Sequence, residues 1–165
     1  MKFLTSLLLF LVMTLGLANC GSDNDFNGNP GAIRTADATA IEFDAGSDVI
    51  TWSDDSNNIF VGTSSRCVRG LRSDADDNVA DEEAELKELI ETSTIGTGSE
   101  TQRHSDSIYL TIRYKDGTSR TFNLREDLAT TSEETLSRGD EIIDFFERVS
   151  GEISIGGHRI CSNGK

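Results

Sequence analysis

The stretch that decides the fold is Ile108–Leu124, IYLTIRYKDGTSRTFNL. Apolar and polar residues alternate on both sides of Asp116-Gly117, which is the pattern of two antiparallel strands joined by a tight turn. A two-residue turn would place Leu110 opposite a polar residue, whereas a loop with an odd number of residues returns it to the face of Phe122. The sequence therefore predicts a three-residue loop, 115–117, in which Gly117 adopts a positive φ angle.

Short runs of β-type residues lie on both sides of this hairpin. Alternation begins near residue 39, and two further runs at 49–52 and 59–61 are separated by a polar turn. Another strand is expected around Cys67. Towards the end of the chain, residues 153–160 predict a last hairpin that turns at Gly156-Gly157.

Two segments have helical periodicity instead. Asn78 is placed to cap the first helix, which presents an apolar stripe consisting of Val79, Leu86, Leu89 and Ile90. The second helix is expected over about 138–150, with Ser137 as its cap and a broad apolar face made of Ile142, Ile143, Phe145, Phe146 and Val149. The sequence thus predicts an α+β fold, a small antiparallel sheet or sandwich of about six or seven short strands with two helices.

The first twenty residues, MKFLTSLLLFLVMTLGLANC, place Lys2 before an apolar run. This is the pattern of a signal peptide, and it predicts export from the cytoplasm. The polar segment that follows is rich in Gly, Asn, Asp and Ser, a composition typical of flexible linkers. We therefore expect a signal peptide over 1–19, a flexible tether over 20–38 and a single globular domain over 39–165.

Leu17-Ala18-Asn19-Cys20 resembles the lipobox of bacterial lipoproteins. In that family the cysteine after the cleavage site receives a diacylglyceryl thioether, carries acyl chains such as palmitate, and becomes the first residue of the mature chain. The resemblance implies lipidation of Cys20, a membrane partner held through that lipid, and a place in the cell envelope. Gly21 follows the cysteine, which by the sorting habit of enteric lipoproteins implies the outer membrane. Asn19 departs from the family, where Gly, Ala or Ser is usual.

Cleavage by ordinary signal peptidase after Ala18 is the alternative, and it would give a soluble secreted protein beginning at Asn19. The chain has three cysteines, and an odd thiol is unusual in an exported protein. If Cys20 carries lipid, Cys67 and Cys161 can pair. An oxidising compartment would favour that disulfide, and it would contribute about 2–4 kcal/mol to stability.

The chain is strongly acidic, with 29 acidic residues against 15 basic ones and a formal net charge of −14. Such a surface repels nucleic-acid phosphates and argues against direct binding to anionic lipid, because both depend on lysine and arginine. Nine carboxylates lie between Asp74 and Glu91. That run indicates either a solvated helix face or a surface for a cation or a basic partner.

The sharpest metal-site candidate lies in this acidic run. Asp74, Asp76, Asn78 and Glu85 stand at positions 1, 3, 5 and 12 of a segment that resembles an EF-hand loop, in which oxygen ligands surround calcium. The segment departs from the EF-hand at Val79, which stands where the sharp turn requires glycine. The alternative is the acidic first turn of a helix, which the helix dipole favours.

Two other sets of residues could carry chemistry. Arg66, Arg69 and Arg72 flank Cys67, and they could bind a carboxylate or phosphate or pair with nearby acids. His104 and His158 are the only histidines in the chain, and a hydrolase would have to use one of them. No Gly-x-Ser-x-Gly nucleophile motif accompanies them.

Three hypotheses for function follow from these observations. The first is a lipid-anchored envelope protein whose domain is a non-enzymatic binding or structural module. The second is a calcium-stabilised secreted or adhesion-type module, and the third is an exported hydrolase.

Overall fold

The computed structural model describes residues 33–46, 49–54, 58–61, 67–72 and 78–161. Within these ranges the chain forms one nine-stranded sheet and two helices. The strands are β1 Ala38–Asp44, β2 Val49–Ser53, β3 Asn58–Val61, β4 Cys67–Arg72, β5 Ile95–Thr97, β6 Tyr109–Tyr114, β7 Ser119–Asn123, β8 Glu134–Leu136 and β9 His158–Cys161. The helices are α1 Val79–Glu91 and α2 Gly139–Gly156. The predicted α+β class is confirmed, with more strands than the six or seven expected.

The strands form one sheet in the order β5-β8-β7-β6-β1-β2-β3-β4-β9. Neighbouring strands are antiparallel except β7 and β8, which run parallel. A short 3-10 helix, Glu126–Leu128, lies in the connection between those two strands. This connection is long enough to bring the chain back to the end of the sheet at which β7 begins, so that β8 runs parallel to β7. Because the apolar side chains of the strands and of both helices form one core, the architecture is a single helix-covered sheet and not a sandwich.

The hairpin formed by β6 and β7 has the predicted loop. Leu110 lies opposite Phe122, as the three-residue loop requires. The Tyr114 amide donates to the Thr118 carbonyl at 2.9 Å, and Gly117 has a φ of +84°. Leu110 and Phe122 are both fully buried, so the register follows from the need to cover the apolar face.

Both helices bury their apolar stripes against the sheet. The ring of Phe146 on α2 stacks on that of Phe43 on β1, with ring centroids 4.5 Å apart. The predicted stripe of α1 is also buried, and it consists of Val79, Leu86, Leu89 and Ile90. Trp52 on β2 is fully buried as well, with Lys87 Nζ 4.5 Å from the centre of its ring.

Asn78 occupies the predicted N-cap position of α1, but its side chain does not cap the helix. Its Nδ2 instead donates to Glu152 Oε2 on α2 at 2.9 Å. The start of α1 relies on Asp81 and Glu82 in its first turn, where carboxylates complement the helix dipole. The side chain of Asn78 therefore serves to join the two helices.

The start of α2 differs from the prediction by one residue. Arg138, and not Ser137, is its N-cap residue. The Ser137 hydroxyl accepts a hydrogen bond from the Thr94 amide at 3.0 Å, so it is already engaged at the start of β5. Gly139 is required here, because a Cβ at this position would lie 2.1 Å from the carbonyl oxygen of Leu124.

The predicted hairpin over 153–160 is wrong, because α2 continues to Gly156 and only β9 is a strand. Ile153 lies four residues after Val149, so it extends the helical stripe and is 2% exposed. β9 then pairs with β4, which lies next to it at the edge of the sheet. Burial on the helix stripe outweighed the local preference of Gly156-Gly157 for a turn.

The domain begins before residue 39, because part of the segment predicted as tether belongs to the core. Ile33 and Thr35 are 2% and 1% exposed. The Thr35 amide donates to Glu91 Oε1 at 3.1 Å, and its hydroxyl donates to the same oxygen. Residues 33–38 thus belong to the domain. The polar residues around them in the sequence make this segment look like a linker.

Candidate functional site

Several predicted site residues lie outside the described ranges. These are the lipidation site Cys20, the calcium-site residues Asp74 and Asp76, and Arg66 of the arginine set. The lipid anchor and the calcium site therefore stay predictions.

The two described calcium-site residues have protein partners. Asn78 donates to Glu152, as noted above, and Glu85 Oε2 accepts from Arg148 Nη2 at 2.6 Å. Across the described part of the chain, no three residues of the types His, Cys, Asp and Glu are grouped so that they could hold a metal ion.

Arg69 and Arg72 project from opposite faces of β4, because they are an odd number of residues apart on one strand. Arg69 Nε donates to the Gly157 carbonyl at 3.1 Å, which fixes the connection between α2 and β9. Arg72 lies opposite Asn58 on β3. The structure therefore does not bring these two arginines together on one anion.

The backbone positions of Cys67 and Cys161 are directly opposite each other. They are Cα partners at the ends of the antiparallel strands β4 and β9. The sequence separates them by most of the domain, so only the topology of the sheet brings them together.

The two histidines lie in different parts of the domain. His104 Nε2 is 3.9 Å from Glu100 Oε2 in the segment between β5 and β6. His158 begins β9 opposite Gly70. Neither histidine lines the cavities of about 580, 410 and 470 Å³ that lie on the described surface.

Charge is distributed unevenly between the helices and the rest of the domain. α1 carries six carboxylates and one lysine, and α2 carries five carboxylates and one arginine, which gives the two helices a formal charge of −9. The remaining described residues include eleven acidic and ten basic residues, a formal charge of −1. The acidity seen in the sequence is therefore concentrated in the helix layer.

Arg148 is the junction between the two helices. Its Nη1 lies 2.5 Å from Glu82 Oε1 and 3.7 Å from Glu152 Oε1, and its Nη2 lies 2.6 Å from Glu85 Oε2. The hydrogen bond with Glu82, followed by further contacts with Glu82 and Glu85, raises the pKa of Arg148. The Glu82 side chain is only 8% exposed, so this ion pair lies partly inside the core. Sequence reasoning missed this junction, although the lone basic residue of an acidic helix was a signal for it.

A second polar cluster lies between β6, β7 and the segment before β8. Tyr109 accepts a hydrogen bond from Arg103 Nε at 2.6 Å and donates to Glu133 Oε1 at 2.9 Å. Glu133 also accepts from the Thr130 amide and from Asn123 Nδ2, and the bond from the Thr130 amide is the largest cause of its lowered pKa. This cluster fixes the segment before β8 to the sheet.

A cavity of about 470 Å³ lies where the N-terminal segment meets the hairpin of β6 and β7. Its lining consists of Arg34, Asp37, Tyr114, Lys115, Asp116 and Arg120. Ala38 pairs with Tyr114, and the Lys115 amide donates to the Asp37 carbonyl at 3.0 Å, so the two chain segments are held side by side. Burial is the largest cause of the raised pKa of Tyr114.

Comparison with known proteins finds no match to a protein-family model, to a curated protein or to a solved structure. Among the described residues, no helix is both long enough and apolar enough to cross a membrane.

Proposed function

We propose that the chain is a lipid-anchored protein of the bacterial cell envelope, held at the outer membrane by a lipid on Cys20, and that its domain is a non-enzymatic binding or structural module. The observation that carries the proposal is the sequence of the first twenty residues, a signal peptide pattern that ends in the lipobox-like Leu17-Ala18-Asn19-Cys20. A soluble secreted form that begins at Asn19 is the alternative.

The way the domain begins supports this arrangement. The described part of the chain starts at the buried residue Ile33, so a spacer of twelve residues, 21–32, separates it from the proposed anchor on Cys20. Thr35 is fixed to Glu91 at the end of α1, and Ala38 is paired with Tyr114. The first described residues after the spacer are therefore bonded to both α1 and β6.

Two of the groups with shifted pKa values, Glu133 and Arg148, support a structural role of the domain. Glu133, with its lowered pKa, is held by several hydrogen bonds, and Arg148 is tied to carboxylates of both helices. Perturbed groups often mark active sites, but structural ion pairs perturb a pKa as well. Here the partners of both groups join secondary-structure elements, which is the role of a structural network.

Replacing Cys20 with alanine tests the anchor. We expect the wild-type chain in the membrane fraction, with a mass that corresponds to a start at Cys20 plus an acylated glycerol, because two or more acyl chains give stable membrane attachment. The Cys20→Ala chain should leave that fraction. The measurement is the intact mass of the protein from membrane and soluble fractions.

Cys67→Ala is the matched control, because it removes a thiol without touching the proposed anchor. It should leave the membrane-bound share unchanged. A wild-type chain without lipid mass that begins at Asn19 would overturn the anchor and establish secretion instead.

We also propose that Cys67 and Cys161 form a disulfide. Residues directly opposite each other on antiparallel strands have Cα atoms about 4.5–5.5 Å apart, which lies within the span of about 4.4–6.8 Å that a disulfide bridges. An exported domain would meet the oxidising conditions that form such a bond.

Intact mass with and without reductant tests the disulfide. We expect the mature chain to gain about two mass units on reduction, because reduction adds a hydrogen to each sulfur. The Cys161→Ser chain should gain none. An unchanged mass of the wild-type chain, together with alkylation of both thiols before reduction, would contradict the bridge.

A further inference from the structure

The N-terminal segment enters the domain beside the loop of the β6–β7 hairpin. Pairing of Ala38 with Tyr114 and the bond from the Lys115 amide to the Asp37 carbonyl fix this position. The cavity described above opens between these two segments. The proposed lipid on Cys20 would therefore be tethered close to this cavity.

The length of the spacer limits how far the cavity can be from the proposed anchor. From Cys20 to Ile33 the chain advances by thirteen residues, so Ile33 lies at most about 45 Å from the proposed anchor. The cavity, whose lining includes Arg34, is therefore confined to the neighbourhood of the membrane surface.

The charge of the cavity differs from that of the helix layer. Its lining has three basic residues, Arg34, Lys115 and Arg120, against two carboxylates, Asp37 and Asp116, a formal charge of +1. The helices carry −9, as described above. Arg120 is paired with Glu134, which makes the cavity together with this partner formally neutral, so an anionic membrane surface would repel the helix layer and would not repel the cavity side.

Some of the lining groups already have partners and others do not. Arg120 forms a forked pair with Glu134, and Asp116 accepts bonds from the amide and hydroxyl of Thr118. The Lys115 ammonium and the Tyr114 hydroxyl have no hydrogen-bond partner among the described residues. The Tyr114 ring packs against the core and gives the cavity an apolar wall.

We propose that this cavity binds the headgroup of a phospholipid in the membrane that holds the anchor. Lys115 would pair with the phosphate, the Tyr114 hydroxyl would donate to it, and the carboxylate of Asp37 suits an amine on the same headgroup. The closeness of the cavity to the membrane rests on the proposed lipid anchor. The result would be a domain that lies on the membrane with this cavity facing the lipid.

Tryptophan quenching measures this orientation directly. Trp52 is the only tryptophan and is fully buried, so it gives a constant background. One reporter is Ala36→Trp, at an exposed position beside the cavity, and the matched control is Ile155→Trp, at a position 89% exposed near the end of α2. The lipidated chains are reconstituted in vesicles of phosphatidylethanolamine with a minor fraction of phosphatidylglycerol, both brominated on their acyl chains. We expect quenching at position 36 and none at position 155. Equal quenching, or none at either position, would overturn the proposed orientation.

Vesicle binding by a chain that cannot be lipidated tests the headgroup site independently of the lipid anchor. The mature chain with Cys20→Ser is sedimented with the same vesicles without bromine. Lys115→Ser should weaken binding about fivefold, because a lysine near a membrane surface contributes about 1 kcal/mol, and Lys115→Arg should restore it. Arg159→Ser removes the same charge from the edge strand β9 and should change nothing.

The two failures have different signatures. A mature chain without lipid mass, together with binding that depends on Lys115, would remove the anchor and keep the headgroup site. Equal weakening by Lys115→Ser and Arg159→Ser would show a response to net charge only and would overturn the site. Suppression of vesicle binding by millimolar inorganic phosphate alone, equally in wild type and Lys115→Ser, would overturn it as well.

Discussion

Replacing Arg148 with alanine is expected to lower the free energy of unfolding by about 3 kcal/mol. The change leaves Glu82 without its cationic partner, and the Glu82 side chain is only 8% exposed. A buried carboxylate that loses its partner costs about 3–5 kcal/mol, and the lower end applies because Arg148 itself is 41% exposed. Glu85 and Glu152 would lose the same partner, so three carboxylates would face one another across the two helices. Urea denaturation followed by circular dichroism measures the effect.

Arg138→Ala is the matched control, because Arg138 also pairs with a carboxylate on α2, but one that is 56% exposed. Its effect should be clearly smaller, since exposed ion pairs contribute little. The double variant Arg148→Met with Glu82→Leu should recover most of the loss, because an apolar pair of similar volume can replace a buried ion pair at little cost. Equal effects of Arg148→Ala and Arg138→Ala would mean that the junction does not stabilise the domain.

The parts of the fold that the sequence predicts are those set by local periodicity. The loop of the β6–β7 hairpin follows from the phase of Leu110 and Phe122, and the buried face of α1 follows from helical spacing. Both patterns involve residues that are close in sequence. Both features are set by the need to bury one apolar face. Any topology of the domain would have to supply a core that covers this face.

The sequence alone does not predict the contacts made between distant elements. Nothing local indicates that the Asn78 side chain contacts Glu152 and does not cap the helix, or that Ser137 accepts from Thr94. The same holds for the partners of Arg148 on α1, which lie more than sixty residues earlier. Each of these side chains could satisfy its hydrogen bonds locally, and only the packing of α1 on α2 and the pairing of β5 with β8 decide that it does not.

The acidic run between Asp74 and Glu91 shows the same limit. Its composition is compatible with a calcium loop as well as with the first turns of a helix. In the described part, Glu82 and Glu85 belong to α1 and bind Arg148, which is a use that composition does not reveal. The charge of the chain is likewise known from the sequence, whereas its concentration on the helix layer depends on the fold.

Ile153 and Ile155 distinguish the helix from the hairpin that the sequence favours. In a strand both side chains would project from one face, because residues two apart share a side of the sheet. In α2 they lie on opposite sides, and their exposed fractions are 2% and 89%. We therefore expect Ile153→Ala to lower the free energy of unfolding by about 3 kcal/mol, since it leaves a cavity among buried residues. Ile155→Ala should change it by less than about 0.5 kcal/mol.

The pair is a stringent test because both substitutions remove the same atoms from the same residue type, two positions apart. Any effect on the unfolded chain is therefore nearly equal for the two variants, and the difference between them reports burial in the folded state. Losses of similar size would indicate that both side chains are packed, as in a strand. A large difference would establish that α2 continues through Ile153, which places the turn at Gly157 and sets the register that brings Cys161 opposite Cys67.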